Sequence, residues 1–528
     1  MQFNSQLDDE PLVDGSVPII GINNTLPPNA IDKNLASAQT NRLSALDDLN
    51  RPRPGTIARF LAGSGFDSIH HLGTGQFLYN NAANWGKYDS RSGVNTGSLA
   101  GGPVFAKGDQ VYSALCDQVL YFSRNAALWK YTPATGVFAT VAIPSQWPNA
   151  SFPIWAFSRL IYAYSNGNTL VVSDILDPEH FDPISQELTL DPIASDMITG
   201  QCVWQNQTIA VFRNGSTWIV ETGPNLAVID WELNRASATV GCCCHGTIVQ
   251  CGVEVYFLSE TGRGVYALSQ MPTSNQMGVW TPISMPVKEY IDRINWSAVQ
   301  NARATYWQDL YILSVPLDGA THNNFILVYS ITLNAWQGEW CFDLLGGDYG
   351  FRDSARDRTN PNKTLLLLGT LDGIVSEMSY PADRRYYDTD LSNNQNPIES
   401  SLISRSFTFT ADPIQNMGGL GQIGLNQIQP HSTRLQFLES VDNVDITVIL
   451  DRAIEPLTIN SVTSGSLLQL TIPALPFDLD ISGYYYLPLS LMNVGVCAEI
   501  QIELEGTGNW TLFQLKVAAW EAAPLMAT

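Results

Sequence analysis

The sequence predicts an all-β chain: a β-propeller of six or seven blades, an additional β-sandwich-like C-terminal module and an irregular N-terminal arm. Three observations carry that expectation. Helical periodicity is nearly absent beyond residue 60. Pairs of short apolar, aromatic-rich segments joined by a tight polar turn recur along 61–380. Their turn centres, at 75, 108, 167, 206, 252 and 308, lie about 47 residues apart on average, close to the length of a propeller blade. Beyond residue 400 the strands alternate polar and apolar positions more cleanly, as in a sheet buried on one face. A pair of stacked β-sandwiches is the rival, since it also spaces strands regularly. The blade-length recurrence favours the propeller.

Residues 1–60 are the arm. The best helical candidate in the chain lies there, at 30–49, where Leu35, Leu43, Leu46 and Leu49 give partial spacing at three and four residues. Asn34, Ser37, Thr40 and Asn41 dilute its propensity. Residues 61–380 are the propeller, and its recurring pairs sit at 71–79 (turn Gly73-Thr74-Gly75), 104–115 (Gly108-Asp109) and 160–172 (Asn166-Gly167-Asn168). Further pairs lie at 202–212 (Gln205-Asn206-Gln207), 248–258 (Gly252) and 304–315 (Gln308-Asp309). Residues 381–400, with Asp383-Arg384-Arg385 and Asn393-Asn394-Gln395-Asn396-Pro397, read as a linker or exposed loop. Residues 401–528 form the sandwich-like module, with alternating strands at 445–450, 467–472, 497–504 and 510–519, some of which can return to the propeller.

Composition narrows the function. The 528 residues include 50 Asp and Glu against 27 Lys and Arg, a formal net charge of −23. Only 15% of residues are charged, against about 25% in an ordinary soluble domain. With 45% hydrophobic and 10% aromatic residues, the chain is not a disordered one. There is no basic excess to displace phosphate counterions, so it is not an ordinary duplex-DNA binder. A low charged fraction fits a surface extensively covered by partners. Residues 1–15 hold no Lys, Arg or apolar core, so no secretory signal is expected, and no run of 18 apolar residues predicts a spanning helix. The eight cysteines (116, 202, 242, 243, 244, 251, 341 and 497) show no framework spacing and read as free buried thiols.

Each motif that could carry chemistry has a plainer reading. Cys242-Cys243-Cys244-His245, with Cys251 downstream, is the best metal candidate. Adjacent cysteines on a strand point to opposite faces, however, so at most Cys242 and Cys244 share one. Adjacent His70 and His71 diverge for the same reason. Asn214-Gly215-Ser216-Thr217-Trp218 resembles the Asp box of sialidase propellers, Ser-x-Asp-x-Gly-x-Thr-Trp. Here Arg213 stands where Asp should and Val211 where Ser should, so a hairpin turn with a packing Trp is expected. There is no Gly-rich phosphate loop, no G-x-S-x-G elbow and no H-E-x-x-H, and no spacing singles out two carboxylates for glycoside hydrolysis.

Several short stretches do carry a likeness. Ile22-Asn23-Asn24-Thr25-Leu26-Pro27-Pro28-Asn29-Ala30 leads into 35–43 and on to Leu49-Asn50-Arg51-Pro52-Arg53-Pro54-Gly55. This resembles the opening of the tail-nozzle, or phage stabilisation, proteins of short-tailed bacteriophages, with Asn50 where that family has Gly. Val172-Ser173-Asp174-Ile175-Leu176-Asp177-Pro178-Glu179-His180-Phe181 resembles the family's Ser-Asp-x-x-Asp-Pro strand exit. Phe257-Leu258-Ser259 followed by Arg263-Gly264-Val265-Tyr266 resembles one of its recurrent strand pairs.

The resemblance implies a virion structural protein and not an enzyme, with no catalytic, cofactor-binding or metal-binding residues and no cofactor. It implies a homohexameric ring that extends the DNA ejection channel below portal and adaptor. The implied partners are other copies of the chain, the tail adaptor protein, and tail fibres or tailspikes, with double-stranded DNA passing through without sequence-specific binding. The implied location is the virion tail, assembled in the bacterial host cytoplasm. An acidic channel wall agrees independently with the charge, because it repels phosphate. Basic residues such as Arg384 and Arg385 are then expected on outer or inter-subunit surfaces. The alternative from another class is a glycan-directed propeller protein of a phage tail, a receptor-binding lectin or glycosidase using some of the 14 Trp and 20 Tyr as stacking platforms.

Overall fold

The computed structural model describes residues 12–16, residues 19–407 apart from short segments at turns and connections, and beyond them strands within 428–521. Seven blades of four antiparallel strands surround one axis. Six are contiguous in sequence, at 68–99, 112–140, 150–189, 198–237, 249–279 and 303–340. The seventh takes three strands from 349–378 and its fourth from the N-terminal side, where Thr56–Leu61 pairs antiparallel with Ile374–Met378. The first strand of each blade lies innermost, and the last of these, Tyr349–Arg356, returns to the first, Ser68–His71.

Each blade is covered on both faces by its neighbours, so its second strand has no solvent side. Thr208–Arg213 and Leu310–Val315 are therefore buried at every residue and read as continuous apolar runs. Aromatic rings fill the gaps between blades. Trp85 lies 4.9 Å from Phe122, and Phe212 lies 4.7 Å from Phe257. Truncating such a ring costs roughly 3–5 kcal/mol, so the aromatic content serves the core.

Of the six expected turn sites, 252 and 308–309 join consecutive strands of a blade, as do the described residues Gly73, Gly75, Gly167 and Asn168 of two more, while 205–207 lies outside the described residues. The sixth, Gly108-Asp109, lies outside the described residues, and Val104 and Phe105 before it belong to the connection between blades one and two. The first turn of blade two is at Asp117-Gln118 and that of blade three at Phe157-Ser158, both with two residues of positive φ, as in a type I′ turn. Neither turn contains Gly or Asn, so neither was visible as a turn signal.

The helix expected at 30–49 does not form. That segment holds the short strands Leu35–Ala36, Ala38–Thr40 and Arg42–Ser44. Tertiary hydrogen bonds overrode a weak propensity. Ala38–Thr40 lies between Ala335–Trp340, the outer strand of blade six, and Glu399–Ile403. Blade six thus continues into a nine-stranded sheet through Ile500–Thr507, Asn443–Leu450 and Leu457–Thr463. Gly338 makes the junction possible: at φ +89° a Cβ there would sit 2.2 Å from the Gln39 carbonyl oxygen.

A second sheet faces this extension, running Arg42–Ser44, Asn50–Pro52, Thr511–Glu521, Ile428–Leu438 and Tyr484–Ser490, with Leu12–Ser16 also on Thr511–Glu521. Leu402, Leu504 and Ile446 pair across one sheet and pack with Leu515 and Val517 of the other. The expected strand at 467–472 lies outside the described residues, as do 497–499 of the strand expected at 497–504. Residues 381–400 are not a free linker. Tyr387–Thr389 pairs parallel with Thr56–Leu61 and antiparallel with Gln395–Pro397, extending blade seven to six strands. Arg384 is exposed there, and Arg385 lies over the Tyr387 ring at 5.4 Å. Among the described residues no helix is long and apolar enough to cross a membrane.

Candidate functional site

Two places concentrate polar groups inside this fold: the propeller axis, and the joint where the arm meets blades six and seven and the module. The axis is filled. Tyr112 from blade two, Phe152 from blade three, His245 from the turn before blade five and Arg303 from blade six converge on it. The Tyr112 ring lies 5.1 Å from Phe152 and 4.6 Å from His245, and Phe152 stacks on His245 at 4.8 Å. Arg303 sits over Tyr112 at 5.6 Å. Blades two and six are not neighbours, so this contact crosses the axis.

Hydrogen bonds fix the protonation of this cluster. The Gln201 backbone N–H donates to His245 Nδ1 at 3.3 Å, which leaves the imidazole proton on Nε2. Burial, reinforced by the Arg303 charge, pushes His245 down to about 3, so the ring is neutral at physiological pH. Gln201 Nε2 donates to the Phe152 carbonyl at 2.7 Å, tying blade four to blade three. Arg303, 4% exposed, donates through Nη1 to the Ala302 and Gln300 carbonyls at 2.6 and 3.2 Å. Its Nη2 makes no hydrogen bond. A neutral imidazole, two rings and a guanidinium held by carbonyls close the axis. They do not form an acid–base pair.

The joint is built differently. Arg53 forms a bidentate pair with Asp388, Nη1 to Oδ1 at 3.1 Å and Nη2 to Oδ2 at 2.6 Å. Arg53 also donates to Asn41 Oδ1, the Pro54 carbonyl and the Cys341 carbonyl, and lies 4.1 Å over Phe342. Asp388 in turn accepts from the Thr56 N–H at 2.8 Å and its hydroxyl at 2.9 Å, which positions the strand that closes the propeller. Gly55 lets the chain pass, since a Cβ there would meet the Tyr387 carbonyl oxygen at 2.0 Å. Arg42, fully buried, donates to the Asn50 side-chain and backbone oxygens, both at 2.6 Å, and to the Trp510 carbonyl at 3.0 Å. Its guanidinium stacks 3.6 Å over the Trp510 ring. Arg42 and Arg53, with Asn41 and Asn50, are therefore the staple between propeller and module.

The remaining sequence candidates are placed as follows. Cys243, Cys244 and Cys251 belong to the core shared by blades five and six and the module, and Cys242 to the core between blades four and five. Cys243 Sγ approaches the Leu258 carbonyl, and Cys244 Sγ the Ala302 carbonyl. Among the described residues no three His, Cys, Asp or Glu side chains converge as a metal set. Burial pushes the Cys243 and Cys251 thiols up, which keeps them protonated. Elemental analysis of purified protein should find no stoichiometric zinc. About one zinc per chain would overturn this reading, because a structural zinc contributes folding free energy and stays bound.

His70 lies between two hydroxyls, Ser113 Oγ at 2.8 Å from Nδ1 and Ser68 Oγ at 3.0 Å from Nε2. This serine–histidine contact between blades one and two was not legible in the sequence, since Ser113 is 43 residues away. A hydroxyl in the third position does not stabilise an imidazolium as a carboxylate does. Residues 214–216 form the turn between Thr208–Arg213 and Thr217–Glu221, and the Asp196 carboxylate accepts the Asn214 and Gly215 N–H groups at 3.2 and 3.0 Å. Asp174 accepts from His180 Nδ1 at 2.5 Å inside the loop after Thr169–Val172. From that loop Glu179 reaches Lys130 of blade two at 2.5 Å.

The fold and these sites define a seven-bladed β-propeller with an appended two-sheet module. No family model matches the chain, and no curated protein matches it. Solved structures are similar over part of the chain. A streptogramin B lyase structure covers 61% of this chain and 96% of its own, at 11% identity and TM-score 0.42. A mitotic checkpoint complex structure covers 62% and 93%, at 12% identity and TM-score 0.41. The WD40 repeats of RRP9 cover 62% and 99%, at 8% identity and TM-score 0.41.

Proposed function

We propose that the protein is a virion structural subunit, the tail nozzle of a short-tailed bacteriophage, forming a ring that extends the DNA ejection channel below the portal and adaptor. The observation that carries the reading is the arm. The stretch 22–55, where the likeness to that family is densest, supplies the buried staple, Arg42 and Arg53 with Asn41 and Asn50, that joins the propeller to its module. Likeness at a structural joint fits a part whose task is to hold shape. The net charge of −23 supports a conduit role, because an acidic wall lets duplex DNA pass without the phosphate contacts that would stall it. The filled axis supports it as well: the usual propeller ligand position is occupied by the protein's own Tyr112, Phe152, His245 and Arg303. DNA would pass through the centre of the ring of subunits and not through a propeller.

Electron microscopy of the purified protein, with titration of duplex DNA, tests this. Six-fold rings with negligible DNA binding at moderate salt are expected. Sub-micromolar DNA affinity with a steep salt slope would overturn the conduit, since that slope reports phosphate neutralisation. A monomer that cleaves or retains host polysaccharide would replace it with the glycan-directed reading.

A further inference from the structure

The rings that close the propeller axis do not satisfy its donors. Arg303 is buried, and its Nη2 makes no hydrogen bond. Three other buried arginines are answered. Arg53 meets the Asp388 carboxylate, and Arg213 has Asp191 and Asp196 within electrostatic reach. Arg42 has no carboxylate, but each of its three nitrogens donates to an oxygen. Arg303 has two carbonyls on Nη1, and among the described residues no carboxylate pairs with it. A guanidinium does not lose its proton in a protein, so this charge stays. Buried without a counter-charge, it is costly.

The surroundings of that free nitrogen are built. Gly246 lets the guanidinium lie against the turn that carries His245, since a Cβ there would meet Arg303 Cδ at 2.7 Å. The Tyr112 ring takes the guanidinium face, and stacking of that kind leaves the in-plane N–H groups available. His245 accepts the Gln201 N–H on Nδ1 and so carries its own proton on Nε2. That second N–H also has no partner among the described residues. Phe152 covers the imidazole face from a β-bulge. Its φ of +52° is one that a phenylalanine takes only under constraint, as at ligand clamps.

We infer that Arg303 Nη2 and the His245 Nε2–H hold a small inorganic anion, chloride in class, in the propeller axis. A cationic and a neutral N–H, both without acceptors, make a donor set suited to an anion. The rings touch at 4.6 to 5.1 Å, so the site takes a single small ion and excludes an organic one. The anion neutralises Arg303 and ties blade six to the turn before blade five, so the plug is held by charge as well as by rings. This is independent of the nozzle reading.

Thermal unfolding of the full chain in sodium chloride and in sodium gluconate at equal ionic strength tests the site. Chloride should raise the midpoint above that in gluconate by about 2 °C, along a saturating curve. Arg303→Met should abolish that difference. Arg263→Met removes an exposed cation lying over Trp296 and should keep it. Crystals of the unaltered chain grown in bromide should show an anomalous peak within hydrogen-bond distance of Arg303 Nη2 and His245 Nε2, which decides the matter even where Arg303→Met does not fold. Midpoints that follow ionic strength alone would overturn the site, as would a chloride response that survives in Arg303→Met. An axis without bromide would overturn it as well, and would pass the counter-charge to the chain itself, with Asp353 on the inner strand Tyr349–Arg356 the first residue to vary.

Discussion

The axis and the joint both bury arginine, and they satisfy it in different ways. At the joint, Arg53 meets the Asp388 carboxylate in bidentate geometry, and Asp388 is also held by Thr56. At the axis, Arg303 has carbonyls and an aromatic face, with one amino group left unbonded. A buried ion pair is strongly destabilised when one partner is removed, because the other charge is stranded. A lone guanidinium held by carbonyls strands no charge when it goes. The joint is thus a lock whose parts depend on one another, and the axis is a plug whose parts are replaceable.

The largest expected effect separates them directly. Arg53→Met should lower stability by about 3–5 kcal/mol, because Asp388 stays buried and charged. Urea unfolding should show this, and the double variant Arg53→Met, Asp388→Leu should recover part of the loss. An unaltered midpoint in Arg53→Met would mean that the closing strand does not depend on the pair. Next is Arg42→Met, which leaves the Asn50 and Trp510 oxygens without donors and should cost about 2–3 kcal/mol. Hydrogen exchange should accelerate in Ile500–Thr507 and Thr511–Glu521 and stay unchanged in blade four. Uniform acceleration would instead mean that propeller and module unfold as one unit.

The third expectation concerns acid. His245 binds its proton at about 3 when folded, against about 6.5 in an unfolded chain. The unfolded state takes up the extra proton, so this contribution to stability is complete above about pH 6.5 and is lost as pH falls towards 3. Near pH 5 the loss should be about 2 kcal/mol. His245→Phe should flatten this part of the pH profile of the thermal midpoint, and an unchanged profile would place the acid sensitivity elsewhere. Smallest is Arg303→Met, expected to cost about 1 kcal/mol, since an apolar side chain of similar length replaces a buried charge with no partner charge among the described residues. A loss as large as that of Arg53→Met would erase the distinction between lock and plug.

The sequence exposed the blades where their turns carried Gly or Asn, as at 73–75 and 252, and missed them where two ordinary residues took positive φ, as at Asp117-Gln118 and Phe157-Ser158. Turn chemistry is written locally only when the strain is relieved by a special residue. The arm misled for a related reason. Leu35 and Leu43 lie at near-helical spacing, yet they fall in separate short strands paired with Gly21 and Arg51, and the strand between them, Ala38–Thr40, is pinned by Glu339 and Ser401 far along the chain. The two concentrated polar sites were less legible still. Arg53 and Asp388 are 335 residues apart, and the axial cluster draws single residues from strands and turns of four separate segments.

By itself, then, the sequence determined what depends on local pattern and on sums over the chain. Those are the all-β class, the blade-length recurrence, the one-sided strands near the C-terminus, and the acidic, sparsely charged surface. Only the tertiary structure decided that seven blades close through Thr56–Leu61, that the arm is shared between two sheets, and that Tyr112, Phe152, His245 and Arg303 fill the axis. The reason is physical. Periodicity and turn chemistry are short-range properties of neighbouring residues, whereas strand closure and buried ion pairs depend on which distant segments meet, and that is fixed by the packing of the whole chain.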